Sequence, residues 1–394
     1  MKNRILILLL IAIKLNAQSI QKTMLRLPDT GQKNSYTNTF GEDNDYANNE
    51  PFFIKNNDGT TRDTITSLVW QTSDGGEMTI ENARIYCDTL TLGGFTDWRL
   101  PTPHESFSIL NQQNNNPALN TIFFTNTGAE YWWTSFTQSN DATKIWCTNA
   151  GGGIGNYPKL ETISAGGTKK FHVRAVRDAS RPITLPNHFT DNGDGTITDN
   201  LTQLIWQKTP ISSAQTWEQV LTYAEGLTLA LASDWRLPNI KELQSINDET
   251  AVNPSLNTTY FNNLGIKNYW ASTSLPNQTN KAWYLNTQYG ITTYDLKTNS
   301  NFVICVRNVK NTSSINLHYN LKENKYCIYP NPFSNRIHIA NLNGNELFKL
   351  FNSIGQLIKE THDLQCENLT DLPKDIYSLT IIGNSTQSVK IIKE

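Results

Sequence analysis

The chain has 394 residues, a formal net charge of −2, and only 17% charged residues against ten Trp. Near-neutrality excludes a basic nucleic-acid-binding field spread over the whole molecule. Few charges, many Asn, Thr, Ser and Gly, and many aromatics argue for a loop-rich exported protein with aromatic cores, and against a cytosolic helical enzyme.

In chain order, Lys2 and Arg4 precede an apolar run over 5–13, and Ala17 supplies a small residue. Residues 1–18 therefore read as a signal peptide, since the run is too short for a membrane helix. No later stretch approaches the ~18 apolar residues of a transmembrane segment. Residues 19–50 form a lead-in, whose Glu42, Asp43 and Asp45 read as an acidic solvated loop.

A repeat follows. A shift of 137 carries Trp98 to Trp235, Thr79 to Thr216, Glu105 to Glu242, Asn116-Pro117 to Asn253-Pro254 and Trp146 to Trp283. A shift of 136 carries 57–71 onto 193–207, and one of 138 carries Tyr131-Trp132 to Tyr269-Trp270. Landmarks in one order with a drift of one residue mean tandem modules, at 51–182 and 187–309, and not a solenoid of short repeats.

Each module opens on Asn, Asp and Gly turn residues before a β-branched and aromatic stretch, the pattern of a hairpin. Thr79 and Thr216 then cap a first helix. Its apolar face is Ile80, Ala83, Cys87 and Leu90 in one copy, and Trp217, Val220, Leu221 and Ala224 in the other. The stretches "TDWRLPTPHE" (96–105) and "SDWRLPNIKE" (233–242) start a second helix. Thr102 with Glu105, and Asn239 with Glu242, are capping boxes, and Pro103 sits where its missing N–H does no harm. Asp97 and Arg99, repeated as Asp234 and Arg236, are expected to tie this turn to the sheet. Strands close each module. A polar linker spans 310–325, and 326–394 alternates like a small strand-rich domain.

These residues resemble two families. "NGDGTITDNLTQLIWQ", "DWRLPNIKEL", "YWASTS", "AWYLNTQYG" and "VICVRN", with their counterparts in the first copy, are similar to the Lcl C-terminal domain family, and 27–46 resembles a lead-in found before such modules. The resemblance implies an α+β fold of two C-type-lectin-like modules, each with two helices on a short twisted antiparallel sheet. "YPNPFSNRIHI" (329–339), "LFNSIGQLIKE" (350–360), "LPKDIYSLTI" (372–381) and the terminal "KIIKE" resemble the type A sorting domain of the type IX (Por) secretion system, with Asp375 where a Gly is usual. That implies a small C-terminal all-β sandwich, engagement of the type IX machinery, and passage through the periplasm to the cell surface or beyond.

Chemistry is sparse. "TDNGDGTITD" lacks the alternate oxygens and the final Glu of an EF-hand, so a hairpin turn explains it and no metal is expected. The sugar-binding triplets of calcium-dependent lectins of the implied fold do not occur. There is no G-x-S-x-G, no H-E-x-x-H and no phosphate loop, so neither enzyme activity nor a cofactor is expected. The basic run 168–181 holds Lys169, Lys170, Arg174, Arg177 and Arg181, a patch of the kind a polyanion needs, but 51–182 as a whole has no basic excess.

Of five cysteines none forms a C-x-x-C pair. The resemblance implies a helix-to-strand disulfide, for which one copy keeps Cys87 opposite Ala175 and the other Cys305 opposite Ala224. Two unpaired buried thiols, or a bridge from Cys87 to Cys147 or to Cys305, remain open. Trp133, Tyr157, Tyr284, Tyr289 and Tyr294 stand in loop-like or unmatched surroundings and are the candidate ligand-stacking aromatics. The expectation is an exported surface protein that binds a glycan or extracellular-matrix ligand, without nucleic acid or a transmembrane segment. Its alternative is a structural or assembly component that engages other proteins.

Overall fold

The computed structural model describes residues 20–125, 128–160 and 170–309, and 327–393 with short gaps. The expected signal peptide and the linker lie outside the described residues. The chain divides into two compact units, 1–310 and 311–394.

In the first module, Phe53–Lys55, Thr60–Asp63, Leu68–Gln71 and Val176–Asp178 form an antiparallel sheet in that order. A second sheet runs Ile154–Pro158, Asp141–Asn149, Tyr131–Gln138 and Phe171–His172, the last pair parallel. The second module repeats the first sheet with Phe189–Asp191, Thr196–Asp199, Leu204–Gln207 and Val306–Asn308. Its other sheet has three strands, Asn268–Ser274, Lys281–Asn286 and Ile291–Leu296.

The helices are α1 (Ile80–Thr89), α2 (Pro103–Ser108), α3 (Trp217–Glu225) and α4 (Ile240–Ser245). Their caps are those read from the sequence. Thr102 Oγ1 accepts from Glu105 N while Glu105 Oε2 accepts from Thr102 N, and Asn239 with Glu242 does the same. Ile80, Ala83 and Cys87 of α1, and Trp217, Val220, Leu221 and Ala224 of α3, are buried.

The α+β, C-type-lectin-like expectation is corrected. Among the described residues the chain is mostly β, with four α-helices of 10, 6, 9 and 6 residues. Two six-residue helices of under two turns cannot form a helical layer. Each module instead splits its strands over two sheets. The α2 and α4 helices pack on the second sheets of their own modules and touch each other where the modules meet.

The strand register also corrects one landmark. Tyr131 pairs with Asn149 and Asn268 with Asn286, so the shift here is 137 and Trp133, not Trp132, matches Trp270. Trp133 Nε1 donates to Met78 O and Trp270 Nε1 to Gln215 O, partners again 137 apart. Because side chains alternate between faces, a slip of one would have reversed every side chain of the strand.

The modules share one core, running from Phe53, Phe107 and Trp146 to Ile240, Tyr269 and Trp283. They meet through equivalent parts. Helix α2 touches α4, and Ile154–Pro158 lies along Ile291–Leu296, where Ile154 N donates to Thr292 Oγ1 at 3.0 Å. Equivalent surfaces facing each other are the mark of an isologous, two-fold-like interface. Across it, Lys241 Nζ reaches Ser108 O at 2.7 Å, while His104, at the same position in the other copy, reaches Gln244 O at 3.0 Å. Each of these side chains thus meets a carbonyl at the C-terminal end of the opposite short helix.

The unit 311–394 has a sheet of Leu357–Thr361, Leu347–Phe351, Ile376–Ile382 and Thr386–Ile392, and a separate pair, Cys327–Tyr329 with His338–Ala340. Phe333, Ile339, Phe348, Leu350, Tyr377 and Leu379 form its core.

Candidate functional site

Of the three acidic residues read as a solvated loop, only Asp45 is exposed. Glu42 and Asp43 are buried, and they accept from Ser274 Oγ and Thr273 Oγ1, both at 2.5 Å. The Gln32 carboxamide pairs with both Ser274 N and Ser274 O, as a neighbouring strand would. Asp29 O accepts from Lys241 Nζ at 2.7 Å, and Asp29 Oδ1 from Asn239 Nδ2 at 3.1 Å. On the first module, Gln112 N donates to Thr30 O, and Lys33 N and Asn34 N donate to Gln113 Oε1. Gly31 (φ +80°) permits the close pass, since a Cβ there would meet Asn111 at 3.0 Å. The lead-in is therefore a strap laid across one side of the junction.

The motif residues that opened each second helix form the joint beside it. Arg99 donates to both Glu105 oxygens and to Asp178, and Arg177 clasps Asp97. Arg236 likewise grips Glu242 at 2.6 Å twice and Asn308 at 3.1 Å, and Arg307 takes Asp234. Burial pushes Glu105 up, but the Arg99 guanidinium more than offsets it and leaves that carboxyl below the usual range. These ten residues tie the turns to the sheets.

On the other side of the junction lies a cleft of about 580 Å³. The first module contributes Thr102, His104 and Phe136, and the second Asp248, Glu249 and Thr250. His104 Nε2 sits 3.1 Å from Glu249 Oε1, which Asn247 Nδ2 also reaches. Gln244 lines the cleft fully buried, with neither amide atom bonded among the described residues. Such a buried carboxamide is costly unless a ligand or water satisfies it.

The predicted aromatics do not converge here. Trp133 is fully buried in a strand, a core residue. Tyr157 packs on Tyr131 at 4.4 Å and Tyr284 edges Trp270 at 6.2 Å, both half-buried. Tyr289 occupies a half-buried turn, and Tyr294, 40% exposed, has Lys281 Nζ 4.9 Å from its ring centre. None of the five lines the cleft. The residues that do were legible only as differences between the copies: His104 against Lys241, and Glu249 against Gln112.

The Lcl C-terminal domain profile matches residues 59–177 and 195–307, more than half of the chain. The chain belongs to the Lcl C-terminal domain family. In this Lcl-domain protein the cleft thus lies between two family modules. Residues 327–394 match a secretion system C-terminal sorting domain, which addresses the protein to type IX export and the cell surface or extracellular space. No curated protein matches the sequence. Among solved structures it is similar to PorZ of Porphyromonas gingivalis, described as an essential bacterial surface component of the type IX secretion system. The identity is 11%, over 67% of this chain and 30% of that one, with a TM-score of 0.16. No helix of the described residues is long and apolar enough to cross a membrane.

Two readings of the Lcl modules that the sequence left open are narrowed. In the basic run, Arg174 is buried and donates to Gln71 O, Thr72 O and Thr125 O, and Arg177 is held by Asp97, so neither is offered to a polyanion; Lys169 lies outside the described residues. Cys87, Cys147 and Cys305 are buried thiols outside any disulfide. Burial pushes the Cys87 thiol up to about 12, so it is no thiolate at neutral pH. We expect all three to resist iodoacetamide in the native protein and to react on denaturation without reductant. Recovering Cys87 in a disulfide-linked peptide instead would refute this.

Proposed function

We propose that this exported protein is a surface or extracellular binding protein that holds an extended ligand in the cleft between its modules and performs no chemical step. The expected ligand is a glycan or an extracellular-matrix component. The observation that carries the proposal is the cleft itself: concave, lined by both modules, with Phe136 and Tyr260, the carboxylates Asp248 and Glu249 and an unsatisfied buried carboxamide in its lining. Its lining hydroxyls support recognition rather than catalysis, because Ser108 Oγ and Ser245 Oγ are spent on the carbonyls of Glu105 and Glu242. His104 is held by Glu249 and Gln244 O rather than poised beside a nucleophile.

The test uses the full chain against arrays of glycans and matrix proteins, with Thr250→Trp as the blocked form, since Thr250 is an exposed lining residue. Saturable binding to at least one array member, lost in the variant at unchanged melting temperature, is expected. Binding to no member, or binding that Thr250→Trp leaves intact, would remove the cleft from consideration.

A further inference from the structure

The cleft and the strap are related. Six of the residues that seat the strap, beside Ser274, are Asn239, Lys241, Thr273, Asn111, Gln112 and Gln113, and the shift of 137 relates each to a residue of the other module. Their counterparts are Thr102, His104, Phe136, Asp248, Glu249 and Thr250, and all six line the cleft. The two-fold-like packing of the modules therefore makes two equivalent grooves, one on each side of the α2–α4 contact. The chain itself fills one of them.

Why the other stays open is visible in the connections. Leu27-Pro28-Asp29 precedes the first module as Leu185-Pro186-Asn187 precedes the second. From Asp29 the chain takes the long strap before it reaches Phe53, but from Asn187 only His188 intervenes before Phe189. The second module has no strap of its own.

We propose that the open cleft is the acceptor for an extended, basic polypeptide segment of another protein. This rests on the reading of the cleft as the ligand site, and it chooses among the ligand classes. An occupied equivalent shows what such a groove holds: an extended chain, bonded through backbone carbonyls and amides and through a Gln that mimics a strand. Gln244 lines the open cleft with both amide atoms unsatisfied, so a backbone N–H and C=O would match it as Ser274 matches Gln32.

The charge differs between the two grooves at the positions that meet the strap. The filled one sets Lys241 and carboxamides against the acidic strap of Asp29, Glu42 and Asp43. The open one has His104 at the position of Lys241 and the carboxylates Asp248 and Glu249 at the positions of the carboxamides Asn111 and Gln112; Lys22 from the lead-in and Lys241, whose Nζ is held by Asp29 O and Ser108 O, also border it. Carboxylates at those positions oppose a second copy's acidic strap and favour Lys or Arg.

The probe is a fluorescent synthetic peptide of residues 27–36 and the same peptide carrying Asp29→Lys, each titrated into the full chain. The lysine peptide is expected to bind about tenfold tighter than its parent, to lose about tenfold with Asp248→Asn or Glu249→Gln, and to lose binding with Thr250→Trp. Equal affinity of the two peptides, or no binding by either, would overturn the assignment. If an array glycan binds and Thr250→Trp blocks it while the lysine peptide fails, the polypeptide assignment falls and the cleft remains the site. If Thr250→Trp blocks no ligand at all, both fall.

Discussion

Arg236→Met is expected to destabilise the protein by about 3–5 kcal/mol, a fall in melting temperature on the order of 10 °C. The guanidinium and the Glu242 carboxylate are each only 5% exposed, joined by two bonds of 2.6 Å. Removing the cation strands a buried carboxylate whose remaining donors include Asn239 N. The same carboxylate completes the cap of α4, which touches the opposite module, so the loss reaches the junction. Arg99→Met tests the reasoning within one molecule. The pair with Glu105 has the same geometry, but Arg99 is 33% exposed, so water can follow the lost guanidinium toward Glu105. Its cost should be nearer ~2 kcal/mol. Equal losses for the two variants, or a loss under about 1 kcal/mol for Arg236→Met, would show that burial does not set the cost.

Local signals in the sequence were good guides where the responsible interactions are local. Caps need only neighbours three residues apart, and Thr102, Glu105, Asn239 and Glu242 behave as read. The helix faces of α1 and α3 followed from periodicity alone. What could not be read depends on contacts over great sequence distance. Glu42 and Asp43 look like a solvated acidic loop until Ser274 and Thr273, some 230 residues on, are placed beside them. Trp133 looks surplus because "YWW" offers two registers, and only strand pairing decides between them. The fold class failed for a related reason. Capping boxes mark where a helix begins, but give no measure of how far it runs, and α2 and α4 stop after six residues. The cleft exists only between modules, so no motif announces it. Its trace is the pattern of unlike residues at like positions, which reads as drift until the two-fold-like packing shows that one groove is filled and the other open.

Lys241→Met is the second large effect, and its size should depend on pH. Lys241 is buried at the junction, where Nζ holds Asp29 O and Ser108 O, and Asp29, Asp63 and Asp43 face it. Burial lowers its pKa to about 8, so it is charged below that pH. Burial raises Asp29 to about 6 and lifts Asp43 as well. A carboxyl raised in the folded state binds a proton that the unfolded chain releases, so its effect on stability is unfavourable above the folded pKa and fades as pH falls through it. Without the cation, these carboxyls rise further. The variant should then lose stability more steeply than the wild type as pH rises above 6. We expect a penalty of about 3 kcal/mol at pH 8, shrinking to about 1–2 kcal/mol at pH 5, where the two unsatisfied carbonyls account for the remainder. Unfolding measured at both pH values decides it. A penalty that does not change between pH 5 and pH 8 would mean that Lys241 acts on the carbonyls alone, and that the acidic strap is held without its charge.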